Sequence, residues 1–194
     1  MFTLDHIVIA GETLAEGTAW LEAKLGVPLA PGGQHQFMGT HNRLLSLGPE
    51  TYLEVIAIDP SLDAPDHPRW FGLDDFSGPP RLVAWVWATD DLANRSQMPG
   101  AYPDPVIRER GDVRWEMTVP THSPLGVLGP SVLRWHANRP QERLPHSGVT
   151  LDALAVSHPE ASQLPALTDP RVTLHTAAPH ITATFTTPHG KITL

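Results

Sequence analysis

The chain has 194 residues, 41% of them apolar, enough for one large domain or two modules sharing a core. A net charge of −8 argues against nucleic acid or an anionic membrane as partner, and no stretch approaches the roughly 20 apolar residues of a membrane span. There is no cysteine, so disulfides, thiol chemistry and thiolate metal sites are excluded; any metal would need His, carboxylate or carbonyl ligands.

The N-terminus, MFTLDHIVIAG, lacks a basic start and alternates apolar with polar residues. That speaks against a signal peptide and sets the cytoplasm as the expected location. Residues 2–10 predict a strand. Strict alternation places Leu4, His6, Val8 and Ala10 on one face and Asp5, Ile7 and Ile9 on the other. Apolar groups on both faces predict a central strand packed on both sides. Thr13 followed by Glu16 is a capping box, and Leu14, Gly17, Thr18, Leu21 and Leu25 recur at helical spacing before Gly26. Residues 13–25 therefore predict a helix with one buried stripe. Residues 36–47 and 51–58 predict strands joined through Pro49-Glu50.

The pattern then returns. Residues 81–88 predict a strand, 91–98 a short helix ended by Pro99-Gly100, and 105–119 and 131–137 further strands. It returns again with a strand at 149–156, a helix at 159–167 opened by Pro159, and short strands at 171–176, 181–187 and 191–194. The segments 60–80, rich in Pro and Asp, and 138–148 read as surface connections. The organisation expected is a first module over 1–60, a second over 80–137, and a shorter C-terminal unit over 148–194 packed with them. Aligning the units by their strand-to-helix joins sets His6 opposite Ala84 and Ala153. Only the first of the three related strands carries a histidine there.

Five side chains are candidates for chemistry. His6 and Glu54 lie on apolar strands of one module, and an inward carboxylate is costly unless paired or coordinated. Together they suit a divalent ion or an acid/base pair; separately, His6 is a buried histidine bonded to a neighbour and Glu54 a salt-bridge partner of Arg43 or Arg134. Asn42, beside Gly39-Thr40-His41, is placed to hydrogen-bond a substrate carbonyl, and His41 to join it; the bland alternative is a bulge at a strand start. Arg134, within VLRWHA, is placed to clamp a substrate carboxylate or to pair with Glu54 or Asp112. His35 reads as a solvated loop histidine. Trp85, Trp87 and Trp115 read as core.

The runs LDHIVIA, GGQHQFMGTHNRLLSLG and TYLEVIAIDP, with the later Trp115-Glu116-Met117, GPSVLRW and HITATFTTPHGKITL, resemble a glyoxalase-like domain of the vicinal-oxygen-chelate (glyoxalase/bleomycin resistance/dioxygenase) superfamily. The resemblance implies an α+β fold of repeated βαβββ modules, forming a curled, mostly antiparallel mixed sheet around a cleft. It implies a divalent metal (Zn, Mn, Ni or Fe) that chelates two substrate oxygens, with ligands from the first and last strand of each module. His6 matches the first-strand ligand and Glu54 the last-strand ligand, Glu54 also standing as catalytic base. The second module offers Ala84 at one position and Arg134, Trp135 and His136 near the other. Either His41 or His136 completes the set, or the metal has been lost. Isomerisation, lyase chemistry and dioxygenase-like ring cleavage all fit, acting on a small carbonyl, enediolate or aromatic substrate. The competing reading is a metal-free protein that sequesters a small molecule. A homodimer is compatible with either.

Overall fold

The computed structural model describes residues 1–194. The first module runs β1 (Thr3–Ala10), α1 (Leu14–Leu25), β2 (Ala30–His35), β3 (Thr40–Ser46) and β4 (Tyr52–Ile58). The second runs β5 (Arg81–Ala88), β6 (Val106–Arg110), β7 (Val113–Thr118) and β8 (Ser131–Ala137). Together they form one eight-stranded sheet in the order β2-β3-β4-β1-β5-β8-β7-β6. Each half repeats the other's connectivity: β1 pairs parallel with β4 and β5 parallel with β8, and all other neighbours are antiparallel. This is the curled, mixed, mostly antiparallel α+β architecture that the sequence led us to expect. The curl brings the edge strands β6 and β2 toward each other, so the inner face closes around a cavity. No helix is long and apolar enough to cross a membrane.

The C-terminal unit forms its own four-stranded sheet, β10 (Val172–His175), β9 (Thr150–Ser157), β11 (His180–Thr187) and β12 (Gly190–Thr193), in that order. It packs on the outer face of the large sheet. There Ile7, Ile9, Trp85 and Trp87 meet Leu21 and Leu25 of α1 and Leu151, Leu154 and Phe185. A smaller inner cluster holds Val8, Ile56, Ala84, Val86, Trp115, Met117 and Leu133. β1 and β5 thus contribute to both clusters, which is why their sequences are apolar on both faces.

Helix α1 forms as its signals dictate. Thr13 Oγ1 accepts the Glu16 N–H at 3.1 Å, and Gly26 adopts the left-handed conformation (φ 71°) with its N–H on the Glu22 carbonyl at 2.8 Å. The N-cap stabilises by about 1 kcal/mol. The stripe Gly17, Leu21, Leu25 is buried. Gly17 is needed because a Cβ there would lie 2.8 Å from Val55 Cγ1.

Several expectations are corrected. The helices expected over 91–98 and 159–167 are 3-10 turns, Leu92–Gln97 and Ala161–Gln163, so α1 is the one α-helix. Both segments are too short, between prolines and loop residues, to repay helix nucleation. The span 105–119 is two strands with a turn at Gly111 (φ 61°). β2 (Ala30–His35) lies mostly in what the sequence presented as a Gly-rich loop. The connection 60–80 is not wholly superficial, since Trp70 and Leu73 are buried against the inner cluster. Nor is 138–148, where Gln141 is buried.

Candidate functional site

A cavity opens on the inner face of the sheet, lined at its floor by His6 (β1), His35 (β2), Asn42 (β3), Tyr52 and Glu54 (β4), and walled by Trp70, Phe71, Trp115, Trp135 and Arg110. It offers about 40 Å³, room for roughly three or four waters at 10–15 Å³ each.

The floor is set by register. β1 and β4 run parallel with His6 beside Tyr52 and Val8 beside Glu54, while β3 lies antiparallel on the far side of β4. His6 Nε2 and Glu54 Oε2 face each other at 3.6 Å, too far for a hydrogen bond. Each group's other heteroatom is already held. Asp5 Oδ1 lies 2.7 Å from His6 Nδ1, and Asn42 Nδ2 donates to Glu54 Oε1 at 2.6 Å. The Tyr52 ring stacks on the His6 ring, centroids 4.4 Å apart.

Asp5 corrects the expected strand faces. A β-bulge between Leu4 and His6 breaks the alternation. Leu4 therefore joins Ile7 and Ile9 in the outer cluster, while Asp5 turns to the side of His6. Asp5 is 1% exposed and is fully engaged: Trp135 Nε1 donates to its Oδ2 at 2.7 Å and Gln141 Nε2 at 3.0 Å. The sequence signal for it was a carboxylate inside an apolar strand run, the argument already applied to Glu54.

Asn42 is held from a second direction. The Gly33 N–H donates to Asn42 Oδ1 at 2.9 Å. The pairing of β2 with β3 is irregular between Pro31 and Gln34, and a Cβ on Gly32 would fall 2.1 Å from Asn42 Oδ1 and 2.3 Å from its carbonyl oxygen. The glycine pair lets backbone wrap the asparagine. Arg110, from the end of β6, reaches across the closing curl. Its Nη1 donates to Asn42 Oδ1 at 3.2 Å and approaches His35 Nε2 at 3.0 Å. His35 Nδ1 lies 3.1 Å from Thr40 Oγ1.

These contacts set the charge states. Burial alone would lower the His6 pKa, but the hydrogen bond to Asp5 and the attraction of the Asp5 and Glu54 carboxylates outweigh it and raise it to about 9. Burial alone would raise that of Glu54, but the His6 ring and the Asn42 N–H bring it down to about 2. Burial lowers His35 to about 4, with Arg110 adding to the effect against the opposing pull of Glu54. His35 is thus neutral at pH 7 and receives the guanidinium N–H. Burial, then Asp5 and Glu54, push the Tyr52 phenol well above its usual value.

Of the residues singled out in the sequence, His6, Glu54 and Asn42 meet in this cavity. His41 does not. It alternates with Asn42 on β3, points to the other face and lies 3.3 Å from Asp59 Oδ2. Arg134 is exposed on β8, and its neighbour Trp135 takes the inward position. His136 pairs with Glu116 at 2.6 Å, away from the cavity. Arg43 and Arg134 take no part in holding Glu54. His35, expected to be a solvated loop histidine, is instead buried at the end of β2, where pairing with β3 sets it beside Thr40. Arg110 and Gln141 carry no signal in the sequence, because only closure of the curl and the folding-in of the loops bring them here.

The sequence matches the family model described as a glyoxalase-like domain over residues 4–170. The chain belongs to this glyoxalase-like family. A search of curated proteins finds no match. Among solved structures, a hypothetical protein from Staphylococcus aureus is similar at TM-score 0.54 and 15% identity, over 84% of this chain and 72% of that one. Methylmalonyl-CoA epimerase from Mycobacterium tuberculosis gives TM-score 0.47 and 19% identity over 70% and 88%. The Streptomyces coelicolor methylmalonyl-CoA epimerase in complex with 2-nitronate-propionyl-CoA gives 0.49 and 15% over 71% and 100%. The likeness to the S. aureus protein is one of fold.

Members of the superfamily typically bind a divalent metal, and the donors of this site decide which kind of ion fits it. No group of three or more His, Cys, Asp or Glu side chains is arranged to hold a metal ion by itself. What converges is one imidazole nitrogen and one carboxylate oxygen. The imidazole is backed by Asp5 in the way metal-bound histidines are commonly held by a carboxylate, and the carboxylate is oriented by Asn42. That donor set suits an ion that completes its coordination with water and substrate oxygens. It does not provide the closed shell of a structural metal.

Proposed function

We propose that this glyoxalase-like protein is a metal-dependent enzyme acting on a small carbonyl or enediolate substrate, with small aromatic substrates the adjoining class. His6 Nε2 and Glu54 Oε2 would hold the ion. The observation that carries the reading is the facing of these two atoms at 3.6 Å while Asp5 and Asn42 occupy the other atom of each group. A bound Zn, Mn, Ni or Fe(II) would supply Lewis-acid polarisation of a substrate oxygen.

The chain's own residues do the rest. Asp5 fixes the His6 ring so that Nε2 points into the cavity. Asn42 takes Glu54 Oε1, so only Oε2 is presented, and Glu54 serves as ligand or as general base toward a C–H beside the carbonyl. The aromatic wall of Trp70, Phe71, Trp115 and Trp135 excludes water, which strengthens every charge interaction inside. Lyase and isomerase chemistry fit this arrangement most directly, since both need a proton moved and a negative oxygen stabilised.

The test uses protein purified without a histidine tag, stripped with chelator and titrated with Mn, Zn, Ni and Fe(II). Stoichiometric binding with a raised melting temperature is expected. A ligand at 100 times its Kd adds about 2.7 kcal/mol, roughly 5–11 °C for a chain of this size. Absence of binding and of any shift with all four metals rejects the proposal. A second reading, metal-free sequestration of a small molecule, is favoured by the lack of a third acidic or histidine ligand and by the four aromatic side chains on the wall. Saturable quenching of tryptophan emission by aromatic compounds, unchanged by chelator, supports it; turnover abolished by chelator excludes it.

A further inference from the structure

Arg110 is the one Lys or Arg side chain that lines the cavity. Other arginines of the protein that make ion pairs, such as Arg69, Arg95, Arg143 and Arg171, sit against an aspartate. Arg110 has no carboxylate within ion-pairing distance. Its recorded hydrogen bonds come from Nη1 alone and go to two neutral groups, His35 Nε2 at 3.0 Å and Asn42 Oδ1 at 3.2 Å. The Nε and Nη2 donors, part of the fork that matches a carboxylate, are committed to no protein acceptor in the structure. The chain also makes room for the side chain. A Cβ on Gly33 would stand 3.0 Å from Arg110 Cδ, so a glycine there lets the guanidinium reach the floor.

We propose that Arg110 is the specificity-determining anion receptor of this site and that the substrate is a short carboxylic acid with a second oxygen on the adjacent carbon. The proposal rests on the reading of this cavity as the reacting site. The carboxylate lies on the free donors of Arg110 while the neighbouring oxygen is directed to the His6–Glu54 pair. His35 and Asn42, both neutral, hold the guanidinium in place without neutralising it. Asn42 touches both ends of the arrangement, accepting from Arg110 and donating to Glu54, so it sets the distance between receptor and reacting pair. The cavity's small volume, about 40 Å³ or room for roughly three or four waters, favours a three- or four-carbon acid over a larger aromatic one.

The probes are pyruvate and pyruvamide, nearly equal in shape, both with vicinal oxygens, and differing in charge. Binding is read by tryptophan emission, since Trp70, Trp115 and Trp135 wall the cavity. Wild type is expected to bind pyruvate about 10- to 100-fold more tightly than pyruvamide, the worth of a charge-assisted contact. Arg110→Gln should bring pyruvate to within about threefold of pyruvamide. Arg110→Lys keeps the charge but loses the fork, and should retain part of the preference; it decides the matter if the glutamine variant does not fold. Equal binding of the two probes by wild type, no saturable binding of pyruvate, or a preference that survives in the folded glutamine variant overturns the inference. The two proposals fail separately. A pyruvate preference lost in Arg110→Gln while no metal binds removes only the metal-dependent reading. A normal metal response with no pyruvate preference removes only this one.

Discussion

Replacing Glu54 by Gln preserves shape and removes one charge, so it isolates what the carboxylate does. The side chain is 5% exposed, accepts from Asn42 at 2.6 Å and faces His6 at 3.6 Å. The amide oxygen can still accept from Asn42, but a charge-assisted bond becomes a neutral one, a loss of about 1 kcal/mol. The gross attraction between unit charges at this separation is about 4–5 kcal/mol at an effective dielectric of about 20. Most of it is offset because a carboxylate no longer has to be desolvated, and because His6 keeps Asp5 as counter-ion. The net cost should be about 1–3 kcal/mol, a fall of roughly 2–12 °C in melting temperature. The assay is thermal unfolding of metal-free protein, wild type and Glu54→Gln, repeated with each divalent metal. The variant should melt lower without metal and should lose the metal-induced gain. An unchanged melting temperature together with an undiminished metal response would refute the reasoning, because Glu54 would then be neither paired nor a ligand.

Asp5→Asn should be harsher, costing about 3–5 kcal/mol, because an amide cannot accept from His6, Trp135 and Gln141 together and a buried imidazolium loses its closer partner; denaturant unfolding measures it, and a loss under 1 kcal/mol contradicts it. Stability should peak near pH 6.5. The raised pKa of His6 gives stability that is complete below 6.5 and is lost as pH climbs toward 9. The lowered pKa of His35 gives stability present above 6.5 and lost as pH falls toward 4, and Glu54 adds a further loss from 4.5 down to about 2. Unfolding free energies at stepped pH should show both limbs, with His35→Gln flattening the stretch between 6.5 and 4; a profile level from 4 to 9 is the contrary result. Gly32→Ala should displace Asn42, since the new Cβ would meet its backbone as well as its side chain; a site reporter such as metal affinity should weaken while the helical signal in circular dichroism stays.

Residues 3–10, 14–25, 40–46 and 52–58 are written plainly in the sequence, because each depends on local causes: apolar period, a capping threonine, a left-handed glycine. His6, Glu54 and Asn42 were legible for a related reason, being polar groups on strand positions whose neighbours are apolar, where isolation would be costly. Strict alternation failed at Asp5, because a bulge depends on how β5 pairs with β1 and not on the residues of β1 alone. His41 and Arg134 failed by one position each, the parity of a strand deciding which of two neighbours, Asn42 or His41, Trp135 or Arg134, faces inward. Arg110 lies 68 residues beyond Asn42 in the chain, and Trp70 and Gln141 come from segments whose composition reads as surface. Their place in the site follows from the curl that carries β6 to β2 and from the burial of loops over its inner face. Local patterns fixed which residues could form strands and which polar groups had to be accounted for; long-range pairing alone decided which of them meet.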